Sequence, residues 1–312
     1  MNRTLIVAAI ATLATSAAMA QSSVNIYGRF NLTAEYQEDS NGNKTKVLQN
    51  NASRIGFKGT EDLGGGLRAG FILEHGFNAD TGLPSGAFWG RQSEVNLSGG
   101  FGTIRLGRFT SEAYYATSDY IGLHNHETGT SSDALYAYIG RDTNKVAYRT
   151  PEFVKGLTVE AAVSANEGSS ANARSYDVAA NYQIGALHLG LGYEKFGAAK
   201  QFAVSGLYEM GAFTVGGMVQ RDSNAYGNGD RTNFRLSGAY MVGTSEFHLN
   251  VGKAGDYSKQ SQSGAKQYTL GYNYNLSKRT KVYGFYTKVD AERNTGYASD
   301  FSSLAAGVRH NF

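Results

Sequence analysis

The chain has 312 residues, and 29 Lys and Arg against 26 Asp and Glu give a net charge of +3, which is no signature of nucleic-acid binding. It has no Cys, which excludes disulfide staples, so some other closure must stabilise it. With 40 Gly, 21 Tyr and only 2 Pro, the composition fits long strands with aromatic belts whose ladder donors are not lost to proline.

The first element is a leader. Arg3 supplies a positive end, Leu5 to Leu13 is shorter than the ~20 apolar residues of a spanning helix, and Ala18-Met19-Ala20 is a small-x-small cleavage site. Residues 1–20 are therefore expected to be a signal peptide removed on export, leaving one domain, 21–312, with 28 basic against 26 acidic residues. A retained anchor would need a longer apolar run. No stretch of the mature sequence has the length and apolarity of a spanning helix, so any crossing of a membrane is by strands.

From Val24 to Thr33 the even positions are Val, Ile, Gly, Phe and Leu, and the odd ones Asn, Tyr, Arg, Asn and Thr. A soluble half-buried strand gives the same alternation, so repetition must decide. It recurs in Leu67–Leu73, Leu157–Val163, Leu187–Tyr193, Phe202–Tyr208, Phe213–Val219, Phe234–Tyr240, Phe247–Val251 and Tyr268–Tyr274. Short joints such as 182–186, 209–212, 241–245 and 275–279 alternate with long polar ones such as 37–46, 166–174, 222–231, 252–265 and 290–299. Tight turns at one rim and extended loops at the other are the pattern of an outer-membrane barrel, which a β-sandwich has no reason to keep.

Strands are predicted at 24–37, 46–60, 67–78, 87–98, 102–109, 144–150, 157–165, 174–183, 187–196, 200–209, 212–221, 231–241, 245–252, 265–275, 279–289 and 300–312. The fold class is all-β: a sixteen-stranded antiparallel transmembrane β-barrel, wide enough to keep a water-filled lumen. The last strand closes on the alternating Leu304, Ala306, Val308, His310 and Phe312.

One joint breaks the pattern. Residues 110–143 are rich in Tyr and carry Glu112, Asp119, Glu127 and Asp133, and a connection of that length is usually functional. Folded into the lumen it is a constriction loop that sets carboxylates in the solute path; an ordinary loop over the mouth is the alternative. An Arg or Lys on the lipid face at mid-membrane costs about 2–4 kcal/mol, so basic residues should occupy the polar files. Arg29, Arg54, Lys58, Arg68 and Arg149 do, as do Arg105, Lys145, Arg231 and Arg235, and the first five are candidates for a basic constriction wall. Arg91 and Arg108 share parity with apolar neighbours, which a bulge or a strand end could resolve.

Other constellations are weaker. His124-Asn125-His126-Glu127 could ligate a metal, but a polar loop without an ordered outer shell more often leaves such groups solvated. Asp222-Ser223-Asn224-Ala225-Tyr226-Gly227 starts like a calcium loop, yet Tyr226 stands where an oxygen ligand belongs and Asn233 where a bidentate Glu should. No cofactor, metal site or catalytic residue is expected. His188 and His248 lie beside Ser-containing strands without a motif, so an enzymatic barrel is the rival class, and an adhesive barrel the other.

The segment Ser53-Arg54-Ile55-Gly56-Phe57-Lys58-Gly59-Thr60-Glu61-Asp62-Leu63-Gly64 resembles the second strand and turn of the general porins of β-proteobacteria, related to the neisserial porins. Phe101 to Arg108, Pro151-Glu152-Phe153 with Gly156-Leu157, Leu276 to Thr280 and Gly307 to Phe312 continue the likeness in the same order. The resemblance implies a homotrimer, an infolded third loop, Arg108 near that loop, and Phe312 as the signal read by the barrel-assembly machinery. It also implies contact with outer-membrane lipid and lipopolysaccharide. The implied function is passive diffusion of small hydrophilic solutes and ions, with an arginine-rich wall leaning weakly towards anions. The third loop departs from the family in carrying His124-Asn125-His126 and in lacking a Pro-rich start.

Overall fold

Two-residue alternation makes a sheet whose faces differ in chemistry, and here that sheet closes on itself. The computed structural model describes residues 23–122, 135–165, 174–293 and 299–312. The strands are β1 Ser23–Glu38, β2 Lys44–Asn50, β3 Arg54–Gly64, β4 Leu67–Gly76, β5 Gln92–Gly99, β6 Gly102–Arg108, β7 Lys145–Arg149 and β8 Leu157–Ser164. They continue as β9 Ser175–Ile184, β10 Leu187–Phe196, β11 Ala199–Met210, β12 Phe213–Ser223, β13 Asp230–Val242, β14 Ser245–Ala254, β15 Ala265–Asn275, β16 Thr280–Ala291 and β17 Phe301–Asn311.

Apart from β2 and β3, which both pair with β1, each strand pairs antiparallel with its neighbours in sequence, and β17 returns to β1 through Arg29↔Asn311 to Glu38↔Ser302. The seventeen segments make sixteen staves, because β2 and β3 share one edge of β1. Between Leu32↔Asn50 and Arg29↔Arg54 the second stave holds one extra residue, with Ala52 at φ 57°. One backbone bond persists there, the Asn51 amide to the Asn31 carbonyl at 2.8 Å, and side chains supply the rest: Asn31 Nδ2 donates to the Asn51 carbonyl at 2.9 Å and the Asn31 amide to Ser53 Oγ at 3.0 Å. The predicted strand 46–60 is this bulged stave.

The faces are inverted relative to a soluble protein. Leu236 and Leu270 are 68% and 59% exposed while Asn31, Thr33, Gln220 and Thr269 are fully buried, so apolar files face lipid and polar files the interior. The short joints at Gly185, Gly211 and Gly243 are two-residue hairpins whose glycine takes positive φ, which keeps that rim tight.

Candidate channel site

After β6 the chain turns inward. Gly107 adopts φ 131°, and a Cβ there would strike the Ser93 carbonyl, so only glycine passes. This resets the alternation, and Arg108 Nε reaches the Gly90 carbonyl at 2.5 Å instead of facing lipid. Arg91 precedes β5 and meets Glu74 at 2.6 Å. Both parity exceptions thus bend inward, where they line a cavity of about 470 Å³ together with Asn50, Ser53, Asn78 and Ser85.

Ser111 caps a helical turn, α1 Glu112–Tyr114, by accepting from the Ala113 amide at 3.1 Å, and a π-helical turn, Tyr115–Asp119, continues it. This segment lies on the inner face of β9–β11. A Cβ at Gly190 would lie 1.8 Å from the Ala116 carbonyl and one at Gly192 2.8 Å from that of Ala113, so β10 has no side chains where the helix lies. Ser205 Oγ donates to the Ala116 carbonyl at 2.9 Å. Ile121 and Tyr136 pack on Leu207 and Met218, apolar residues on otherwise polar inward files. Gln220 closes the far limb by exchanging hydrogen bonds of 3.1 Å with the Ala137 amide and carbonyl. Sequence reasoning missed this landing pad, although Gly190, Gly192, Leu207 and Met218 show it as small or greasy residues where polar ones belong.

A charge network ties the segment to the wall. Arg105 binds Glu94 at 2.8 Å and Glu160 at 2.9 Å; Arg149 binds Glu160 at 2.9 Å and Glu112 at 2.5 Å; Asn181 donates to Glu112 at 3.0 Å. Burial pushes the Glu112 carboxyl above the ordinary carboxylate range, and Arg149 pulls it partly back. Beneath the loop, the Tyr138 hydroxyl donates to Asp142 at 2.5 Å, and burial raises that carboxyl too.

Arg149 and Glu112 are therefore partners on the loop side of the barrel rather than opposing surfaces. Asp119 ends the π-helical turn, half-buried. Glu127, Asp133 and His124-Asn125-His126 lie outside the described residues, as does the leader. In a ring of sixteen staves β10 lies half a circuit from β1, and there the basic candidates gather. Arg29 stands opposite Arg54 in the ladder and donates to Asn311 at 3.1 Å; Arg54 is 3.8 Å from Glu74. Lys58 lies over the Tyr27 ring at 5.2 Å, and Arg68 sits across from Asp62 beside the tight turn Gly64–Gly66, nearer the rim than the middle. Lys281 and Arg309, paired across β16 and β17, point inward beside Arg29 and were missed although parity gives both away.

The two walls differ in sign. Inward files of β16, β17, β1, β3 and β4 hold Lys281, Arg309, Arg29, Arg54, Lys58 and Arg68 against Glu35, Asp62 and Glu74. Those of β5–β10 hold Arg105, Lys145 and Arg149 against Glu94, Glu160, Asp177 and Glu194, and the described part of the loop adds Glu112, Asp119 and Asp142 against Arg141.

Known proteins share this architecture. The family model for Gram-negative porins matches residues 6–294. The chain is 34% identical to outer membrane porin protein 32 of Delftia acidovorans over 91% of this chain and 88% of that one. It is 28% identical to a major outer membrane protein of Neisseria meningitidis over 96% and 98%. Among solved structures it is similar to an anion-selective porin from Comamonas acidovorans, with a TM-score of 0.79 and 28% identity over 94% of this chain and all of that one. The chain belongs to the Gram-negative porin family, and its barrel is an outer-membrane channel rather than an enzyme.

Proposed function

We propose that the channel passes small hydrophilic solutes and ions by passive diffusion, with weak preference for anions, through a constriction between the infolded loop and the basic wall. The observation that carries this reading is the opposition of sign: an excess of Arg and Lys on β16–β4 faces an acidic loop and its supporting strands half a circuit away. Such a pair of surfaces sets a field across the lumen. Dipolar solutes align with it, while apolar ones must displace oriented water. The sign of selectivity follows the charge within about one Debye length, ~8 Å at physiological salt, of the narrowest point. Arg29, Arg54 and Arg108 are assigned to that wall, with Lys281 and Arg309 added. Arg149 is assigned to holding Glu112, and Lys58 and Arg68 to the approach from the tight-turn rim. Asp119 is assigned to the acidic side of the path, with Glu127 and Asp133, which lie outside the described residues, proposed to join it from sequence. Likeness to an anion-selective porin supports the sign.

The working unit is a homotrimer set in outer-membrane lipid and lipopolysaccharide, assembled after cleavage before Gln21. Phe312 is read by the barrel-assembly machinery; in the folded barrel its ring stands 6.2 Å from that of Phe30 and its amide bonds Gly28 across the closing seam. Liposome swelling tests the channel itself. The rate should fall steeply with sugar size, and equal rates for protein-containing and empty vesicles would refute the reading.

A further inference from the structure

The bulge in the second stave decides which way that stave's charges point. In β2 the even residues Lys46 and Leu48 face outward, paired with Tyr36 and Ala34, whereas in β3 the outward residues are the odd ones, Ile55 and Phe57, paired with Gly28 and Ile26. Continuing the β2 register, in which Leu32 meets Asn50, would set Arg54 against Gly28 and Lys58 against Val24, both on the lipid side. The extra residue reverses the parity. Arg54 stands against Arg29 instead, and both it and Lys58 turn into the lumen.

Buried side chains hold this reversal. Asn51 Nδ2 donates to Thr33 Oγ1 at 2.8 Å and to the Tyr283 hydroxyl at 3.1 Å, and that hydroxyl donates in turn to Asn31 Oδ1 at 2.6 Å. Asn31, Asn51 and Ser53 are fully buried, and Tyr283 is nearly so. Tyr283 belongs to β16 and reaches β1 across β17, where its neighbour is Gly307; a Cβ there would lie 3.1 Å from Tyr283 Cζ, so only a bare backbone lets the ring pass. Residues of β1 and β16 thus grip the bulge from one side. Between Asn51 and Ser53, Ala52 keeps φ 57°, a left-handed conformation that alanine adopts only at a cost.

We infer that Asn51 and Tyr283 are positioning residues for ion selectivity: they lock the bulge, and the bulge sets Arg54 beside Arg29 on the basic wall. Arg54 follows Ser53 directly, so any change in the course of the bulge reaches it through one peptide unit. The inference rests on the channel reading, which assigns Arg54 to that wall. It adds that two buried, uncharged side chains set how strongly the wall acts, although neither carries the charge that the solute meets.

The test is a double-mutant cycle on the full-length mature protein, read as reversal potential across planar bilayers in a potassium chloride gradient, with heat-resistant mobility as the check that each barrel is folded. Tyr283→Phe removes the hydroxyl and keeps the ring, and Asn51→Ala removes the other end of the same hydrogen bond. Each should lower the anion-to-cation permeability ratio about 1.5-fold, the screened effect of a cation withdrawing from ~8 to ~12 Å of the path, against about twofold for Arg54→Ala. In an Arg54→Ala background neither should lower it further, since both act through that arginine. Folded Tyr283→Phe and Asn51→Ala channels with the parent's ratio, or the same shift persisting without Arg54, would overturn the positioning role. An Arg54→Ala channel with the parent's ratio would instead remove Arg54 from the wall, and this inference with it.

Discussion

The two halves of the barrel interior use charge in opposite ways. On the loop side, Glu94, Arg105, Glu160, Arg149 and Glu112 satisfy one another in a chain that crosses β5 to β8 and ends on the helix. Those charges hold the loop and leave little field for a passing ion. On the facing side Arg29 stands opposite Arg54, and Arg309 opposite Lys281, so cations are stacked side by side, with Glu74 3.8 Å from Arg54 and Glu246 3.5 Å from Lys281. Balanced charge holds the loop, and the excess of one sign acts on the solute.

The largest expected effect comes from breaking the seat of the loop. Gly190→Val places carbon against the Ala116 carbonyl and should lift the helix from β10, an overpacking cost of about 1–3 kcal/mol. Chymotrypsin should then cut between Tyr114 and Tyr120 and single-channel conductance should change; an uncut, unaltered channel would mean the helix does not rest on that glycine. Next comes the facing wall. Arg54→Glu should move the anion-to-cation permeability ratio about fourfold towards cations, the Coulomb effect on both ions of a two-charge change at ~8 Å in water, screened by about one Debye length. An unmoved reversal potential would remove Arg54 from the constriction.

Smaller effects sharpen the loop side. Arg149→Ala leaves Glu112 without its cation and should destabilise the loop by about 1–3 kcal/mol while moving selectivity less than Arg54→Glu, read as protease sensitivity against reversal potential. Asp142 supplies a pH dependence. Its carboxyl is raised above the ordinary value by burial, so the proton is favoured in the folded loop. Its stabilisation is then complete below about pH 4 and declines as pH rises through the raised value. Asp142→Asn should flatten that slope in a protease-sensitivity titration, and an unchanged slope would assign it to another group.

Most of the architecture could be read from alternation and joint length, because lipid and water impose a two-residue period on every strand. Several features were not. The bulge at Asn51-Ala52-Ser53 was hidden because polar residues continue through it and only the register reveals the extra one. Arg108 broke parity for a reason that lies in the Gly107 backbone rather than in any side chain. Arg149 looked like a lumen charge because parity gives its direction but not its partner, and Glu112 is 37 residues away in sequence. The landing pad was missed as well, although Leu207 and Met218 stand out as apolar residues on polar files.

The central claim, an open aqueous path with a dominant basic wall, is tested most directly by the zero-current potential of the wild-type channel in a potassium chloride gradient. A measurable conductance is expected, with a potential of the sign set by chloride moving faster than potassium. A potential of the opposite sign, or a bilayer that stays silent with folded protein inserted, would contradict it.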